Sequence, residues 1–275
     1  SLCEDDLLAA RELEQSGVSV VPAIWEQTDI DWQSFDAVVL RSCWDYHLKP
    51  VAFRRWLDHL AEQNILLYNP LETVRWNMDK RYLKQLAEEG VPYPPTVWVE
   101  AGDTVNLATL LQANGFDKAV VKPLISAGAK QTWLITPETA PEIQAEFEAA
   151  TRTTGMMVQR YLPEVTTAGE WSFIFINRQF SHAVLKRPAS GDFRVQVEYD
   201  GTSTLEPAHP ALLEQAAQVL THVPGTILYA RVDGIDIGGT FTLMELELTE
   251  PFLFFGLDTE APRRFADAVL GLLEE

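Results

Sequence analysis

With 275 residues, 47% of them hydrophobic and 22% charged, the chain has ordinary globular composition and enough length to bury more than one core. Its 40 acidic against 21 basic side chains give a net charge of -19, which repels phosphate backbones and argues against a nucleic-acid partner. No apolar run approaches the roughly 18 residues needed to span a bilayer and no signal peptide is visible, so the chain reads as soluble and cytoplasmic, without a membrane partner.

The sequence opens on Ser1 and enters a helix almost at once, with Asp5 and Asp6 at its start, Leu7, Leu8 and Leu13 on its apolar face and Gly17 as its stop. An α/β unit of this kind ordinarily begins with a strand before that helix, so a first strand is expected to be missing. Val18 to Ala23 and Asp36 to Arg41 read as buried parallel strands, Pro50 to Gln63 as a helix carrying Phe53, Trp56, Leu57 and Leu60, and Ile65 to Tyr68 as a third strand. Alternating strands and helices predict a doubly wound α/β unit over residues 1–75.

A helix is predicted over 77–89, closed by Gly90 and the turn Val91-Pro92-Tyr93-Pro94-Pro95. A smaller α+β unit follows over 76–158, with strands at Thr96 to Val99, Ala119 to Lys122 and Gln131 to Ile135, and helices at Leu107 to Ala113 and Glu138 to Arg152. The third unit, 159–275, is strand-rich: Trp171 to Ile176, Phe180 to Leu185 and Phe193 to Glu198 alternate as in an antiparallel sheet. A helix over Pro210 to His222, strands at Ile227 to Asp233 and Phe241 to Leu248, and a helix over Ala261 to Leu273 complete the chain. Cys3 and Cys43 make no disulfide framework; a catalytic thiol at Cys43 competes with the blander reading of a small buried residue.

Glu245 and Glu247 are two apart on a predicted strand, so both carboxylates share one face while Met244, Leu246 and Leu248 share the other. Asp233, on the preceding strand, could meet them across the sheet. Three carboxylates together call for a counter-ion, and an all-oxygen set suits Mg²⁺ with bound phosphates, though a solvated sheet face would alternate in the same way. Lys122 ends an apolar strand beside the small-residue loop Ser126-Ala127-Gly128-Ala129, where charge and backbone N–H groups could hold a phosphate; the glycine spacing is not that of a Walker loop. Lys80 sits at the start of a predicted helix, an unfavourable place for a cation unless an anion is near. Lys186, Arg187 and Arg194 form a basic group suited to a transferring phosphoryl, or else to ion pairs with Asp192 or Glu198.

The order of these pieces resembles the ATP-grasp superfamily, and within it the ATP-binding region of bacterial glutathione synthetase. The resemblance runs through Phe35-Asp36-Ala37-Val38-Val39-Leu40-Arg41, Tyr68-Asn69-Pro70, Asn77-Met78-Asp79-Lys80, Val121-Lys122-Pro123 and Val158-Gln159-Arg160-Tyr161-Leu162-Pro163. It continues with Gly191-Asp192-Phe193-Arg194, Val232-Asp233-Gly234 and Glu245-Leu246-Glu247-Leu248-Thr249-Glu250-Pro251. Arg41-Ser42-Cys43-Trp44-Asp45-Tyr46 resembles in addition the cyclo-ligases of cycloserine biosynthesis. The resemblance implies an ATP-grasp fold of α/β and α+β units behind an N-terminal pre-ATP-grasp domain, with ATP and two Mg²⁺ ions as cofactors.

It also implies roles. Lys80 and Lys122 would contact ATP phosphates beneath a loop carrying Ser126 and Gly128. Gln159, Tyr161 and Leu162 would receive adenine, with Glu164 near the ribose. Asp233, Glu245 and Glu247 would hold the metal, Lys186 and Arg194 the γ-phosphate and acyl-phosphate, and Arg41, Trp44, Asp45 and Tyr46 would face the acceptor substrate. Two departures stand out: the nucleotide loop has one glycine where relatives often have several, and Glu247 stands where relatives usually have Asn. The implied activity is ADP-forming ligation of a small carboxylate and an amine, amino-acid-like or peptide-like, with a small-molecule kinase or a non-catalytic ATP-binding module as alternatives. His47, His182 and His209 are candidate proton acceptors that no motif places, and a homo-oligomer remains open.

Overall fold

The structure is a computed structural model that describes residues 2–128, 131–189, 192, 194–195 and 200–274. Helix α1 (Glu4–Gln15) begins with three acids at the positive end of its dipole and closes at Gly17, whose φ of 85° suits only glycine well. The expected strand at 18–23 does not form: Val18 and Val20 are half-buried and Val21 exposed, but among the described residues this run pairs with no other strand. Alternation without a ladder partner leaves an extended segment. The next two expected strands shorten to β1 (Val38–Val39) and β2 (Leu67–Tyr68), a parallel pair. Helix α2 (Pro50–Glu62) connects them, and its Phe53, Trp56, Leu57 and Leu60 pack with Trp25, Trp32 and Tyr46.

The single helix expected over 77–89 is instead α3 (Leu71–Asn77) and α4 (Tyr82–Glu88), with a turn between them. Asp79 accepts the Arg81 N–H at 3.0 Å, and the Lys80 N–H goes to the Leu124 carbonyl at 2.9 Å, so both donors leave the helical ladder. Four antiparallel strands follow: β3 (Thr96–Val99), β4 (Ala119–Pro123), β5 (Trp133–Ile135) and β6 (Met156–Arg160), in the order β3-β6-β4-β5. Helices α5 (Leu107–Ala113) and α6 (Ala140–Thr151) bury Leu107, Leu111 and Phe147 against this sheet. Strand β6 carries the sheet past residue 158, so a division there would run through a strand.

After a one-turn helix α7 (Glu164–Thr167) comes a second antiparallel sheet of β7 (Glu170–Ile176), β8 (Gln179–Arg187), β9 (Thr202–Leu205), β10 (Tyr229–Ile237) and β11 (Thr240–Glu247), in the order β11-β10-β7-β8-β9. Strand β9 was not anticipated, and of the strand expected at 193–198 only Arg194 and Val195 lie within the described residues. Helix α8 (Pro210–Leu220) buries one face, packing Leu212, Ala216 and Val219 with Phe173, Val232 and Leu246. On the other face α1 and α9 (Ala261–Leu273) cover Ile174, Val184 and Tyr229. Further along that same face the strands carry Glu170, Ser172, Lys186, Asp233, Glu245 and Glu247. Among the described residues no helix is long and apolar enough to cross a membrane.

Candidate functional site

Strand β11 is an edge strand, and its outer backbone groups would be open to water or to another chain. Side chains close it residue by residue instead. The Tyr82 hydroxyl accepts the Leu246 N–H at 2.9 Å. Asn77 donates to the Leu246 carbonyl at 2.7 Å and accepts the Leu248 N–H at 2.8 Å. Asn69 donates to the Leu248 and Tyr229 carbonyls, each at 2.8 Å. These buried amides fix Glu245 and Glu247 in place, because an amide deprived of its strand partners would cost about 1–3 kcal/mol.

The registers place Asp233 opposite both Ser172 and Glu245, Arg231 opposite Glu247, and Glu170 opposite Lys186. Asp233 accepts Ser172 Oγ at 2.6 Å, Lys186 Nζ at 3.0 Å and Arg231 Nη2 at 3.0 Å. Lys186 also bonds Glu170 at 2.5 Å, and Arg231 reaches on to Glu247. Burial alone would raise the Asp233 carboxyl, but Arg231 and Lys186 outweigh it and bring it to about 2. Glu247 goes the other way: burial, with Glu245 and Asp233 beside it, overcomes Arg231 and pushes it up to about 7. Glu245 is held low because Lys80 and Lys122 outweigh its burial.

Lys80 joins the two sheets. Its ammonium lies 3.0 Å from Glu245 Oε1 and donates to the Ser126 carbonyl at 2.9 Å, which resolves the tension of a cation placed before a helix. Lys122, half-buried on β4, feels Glu245 as its strongest charge, while burial lowers its pKa. Gly128 is exposed with φ of 63°; Ala129 and Lys130 of the expected covering loop lie outside the described residues. Where the sheets meet, Gln159 is buried against Thr96, the Tyr161 N–H bonds the Lys118 carbonyl at 2.9 Å, and the Lys118 ammonium lies 4.8 Å from the Tyr161 ring centre. Leu162 packs beside Val165 and Ile235, and Glu164 keeps one buried carboxylate oxygen without a hydrogen-bond partner. Arg194 pairs with Asp192 at 2.7 Å, the structural alternative weighed for it above.

The N-terminal residues divide. Arg41 does not face an open cleft: it bonds Asp6 at 2.9 Å, Asp5 at 3.2 Å and the Pro251 carbonyl at 2.8 Å, with the Tyr229 ring 5.2 Å from its guanidinium carbon. Asp45 accepts the Trp25 indole N–H at 3.0 Å, and the half-exposed Trp44 donates to the Glu250 carbonyl at 2.9 Å. Tyr46 is buried against Phe53, and burial and then Glu247 push the Glu250 carboxyl up to about 8. Cys43 is buried and its thiol pushed well up by desolvation, which fits packing rather than nucleophilic attack.

Among the described residues no three His, Cys, Asp or Glu side chains are gathered to hold a metal. Lys80, Lys186 and Arg231 neutralise the expected trio instead. The donor chemistry nonetheless fits Mg²⁺: the oxygens are hard carboxylates set opposite one another in register, Asp233 against Glu245. Sequence reasoning missed Arg231, Glu170 and Glu250. Arg231 and Glu170 stand two residues from Asp233 and Ser172, so the alternation that found Glu245 and Glu247 would have found them too. Glu250 lies beyond the strand and had no such signal.

Residues 94–259 match the family model of the prokaryotic glutathione synthetase ATP-grasp domain, and residues 1–69 that of the N-terminal domain of D-cycloserine synthetase DcsG. The chain is 29% identical over 273 residues to the cycloserine biosynthesis protein DcsG of Streptomyces lavendulae, covering 92% of this chain and 88% of that one. It is 23% identical over 241 residues to glutathione synthetase of Bordetella pertussis, covering 86% and 72%. The crystal structure of D-cycloserine synthetase DcsG superposes with a TM-score of 0.87 at 25% identity, covering 98% of this chain and 94% of that one. D-alanine–D-alanine ligase from Bacillus anthracis, complexed with ATP, shares the fold at a TM-score of 0.71 and 14% identity, covering 100% and 94%.

Proposed function

We propose, from the premise that this chain belongs to the prokaryotic glutathione synthetase ATP-grasp family, that it joins a small carboxylate to an amine through an acyl-phosphate. It is an ATP-grasp ligase that forms a C–N bond and releases ADP. The observation that carries the finer reading is the meeting of Lys80, rooted beside the four-stranded sheet, with Glu245 of the five-stranded one. Two elements that converge on one anionic site from opposite walls are suited to grip a triphosphate and its counter-ions.

In this reading Lys80 and Lys122, with the backbone from Ser126 to Gly128, bind phosphate oxygens. Gln159, Tyr161 and Leu162 receive adenine, and the unpartnered oxygen of Glu164 accepts a ribose hydroxyl. Asp233, Glu245 and Glu247 would hold Mg²⁺, two ions on our reading, and bound there it supplies charge neutralisation of the phosphates. Lys186 and Arg194 stabilise the phosphoryl as the substrate carboxylate attacks it in line. The amine then adds to the acyl-phosphate and phosphate leaves. Trp44, Asp45 and Tyr46 border the acceptor substrate, while Arg41 braces that segment from behind.

The test is product analysis with a panel of amino acids and small diacids. ADP and phosphate release that requires both a carboxylate and an amine supports the ligation. AMP and pyrophosphate would exclude it, and a stable phosphorylated product would convert the reading to that of a kinase.

A further inference from the structure

We propose that Arg231 is a positioning residue that ties Asp233 to Glu247 before nucleotide enters and then gives Glu247 up, so that a divalent cation binds firmly only together with the nucleotide. This rests on the ligase reading and deepens it. The acids of the site are already taken by cations of the protein. Asp233 has Lys186 and Arg231, each at 3.0 Å, Glu245 has Lys80 at 3.0 Å, and Glu247 has Arg231. Among the described residues Glu247 makes no other ion pair. The register sets this one, since Arg231 lies directly opposite Glu247 and two residues from Asp233 on the same face. A divalent ion arriving by itself meets a guanidinium between two of the carboxylates it needs, and like charges repel strongly where water is excluded.

The surroundings of Arg231 let it release one acid and stay in place. Its Nε donates to both Asp233 oxygens, at 3.0 and 3.1 Å, and its Nη1 to the Phe252 carbonyl at 3.0 Å, so neither bond depends on Glu247. Nη2 is the atom shared between Asp233 and Glu247. The guanidinium carbon lies over the Phe254 ring, 5.8 Å from its centre. That ring is placed by its backbone: Phe254 has a φ of 56°, a left-handed conformation uncommon for so bulky a residue. On either side Asp5 accepts the Leu253 and Phe255 N–H groups, at 2.7 and 2.6 Å, which fixes the segment from behind. A carbonyl and an aromatic face are thus held ready for this one arginine. When Glu247 turns to an incoming cation, Arg231 keeps Asp233, Phe252 and Phe254.

The probe is Mn²⁺, its free concentration read from its paramagnetic resonance signal, titrated into the full chain with and without ADP. In the wild type ADP should tighten Mn²⁺ binding roughly tenfold to a hundredfold. Arg231→Met removes the charge, and without ADP it should bind Mn²⁺ about tenfold more tightly than wild type, so that less is gained from adding ADP. Arg231→Lys keeps the charge on one ammonium, which does not fork between two acids, and should fall between the two; it carries the test if Arg231→Met does not fold. A merely structural role would leave ADP-free Mn²⁺ binding unmoved or weaker. Wild type that binds Mn²⁺ equally well with and without ADP would overturn the proposal, as would variants that hold ADP-free Mn²⁺ no better than wild type. A wild type that binds neither ADP nor Mn²⁺ overturns the ligase reading and this role with it, whereas ADP-dependent Mn²⁺ binding that is indifferent to residue 231 strikes only at Arg231.

Discussion

Two buried guanidinium groups donate to neighbouring carbonyls, Arg41 to Pro251 and Arg231 to Phe252, and they are built differently. Arg41 is closed: two aspartates, one carbonyl and one aromatic ring satisfy it, and its partners Asp5 and Asp6 in turn bind backbone N–H groups and the Ser42 hydroxyl. Arg231 is shared: it bridges Asp233 and Glu247 and takes the Phe252 carbonyl at 3.0 Å, while Asp233 is held at the same time by Lys186. A closed set is a fastener that loses by exchanging partners. A shared one can release its acids to a more strongly charged guest. The contrast separates scaffold from site more sharply than burial does, since both arginines are nearly inaccessible.

The largest expected effect lies in the shared cluster. Glu245→Gln keeps the shape and removes one charge, and we expect ADP release to fall about a thousandfold, some 4 kcal/mol of transition-state stabilisation, with little change in the urea midpoint. An unchanged rate would break the comparison by making this cluster as structural as that around Arg41. If ATP still bound while every activity were untouched by the change, a non-catalytic nucleotide-binding module would be the better description.

The second effect lies in the closed set around Arg41. Arg41→Met should destabilise the fold by about 3 kcal/mol in urea titration, the lower part of the range for breaking a buried ion pair. It lies low because the Asp5 carboxyl is already raised by burial and can take up a proton to relieve the loss. The Michaelis constants of the folded fraction should stay within about twofold. A loss of acceptor affinity at unchanged stability would return Arg41 to the substrate-binding role that the family resemblance implies for it.

Legibility in the sequence followed the same division. Period-two alternation on β10 and β11 exposed Asp233, Glu245 and Glu247, because a strand projects its chemistry at fixed spacing. The strand at 18–23 was read from a short apolar, β-branched run and did not form, since such a run speaks of burial and says nothing of whether a neighbour supplies hydrogen bonds. The helix over 77–89 failed for a local reason: Asp79 captures a backbone donor, and Lys80 is pulled toward Leu124 and Glu245, forty to more than a hundred and sixty residues away. Arg41 was visible as a charge on a strand end, but its partners lie 35 and 36 positions earlier in the chain and 210 later, beyond any local pattern.

The smallest effect concerns a third kind of buried group, one that stays neutral. His182 lies between the Ser181 hydroxyl and the Leu253 carbonyl, each at 2.9 Å, so one ring nitrogen accepts and the other donates. Burial holds its pKa below the ordinary 6.5, assisted by Arg264 and opposed by Asp258. In the unfolded chain the ring protonates as pH falls through about 6.5, whereas in the fold it does not until lower, so its contribution to stability is present above that pH and lost below it. The slope from one proton cannot exceed about 1.4 kcal/mol per pH unit. Urea titrations of wild type and His182→Gln from pH 7.5 down to 5.5 isolate this term: the wild type should lose stability more steeply on acidification than the variant. Parallel slopes would mean that His182 takes up its proton within the fold, and the neighbourhood of Asp258 would then belong with the charged, partner-sharing sites rather than with the closed ones.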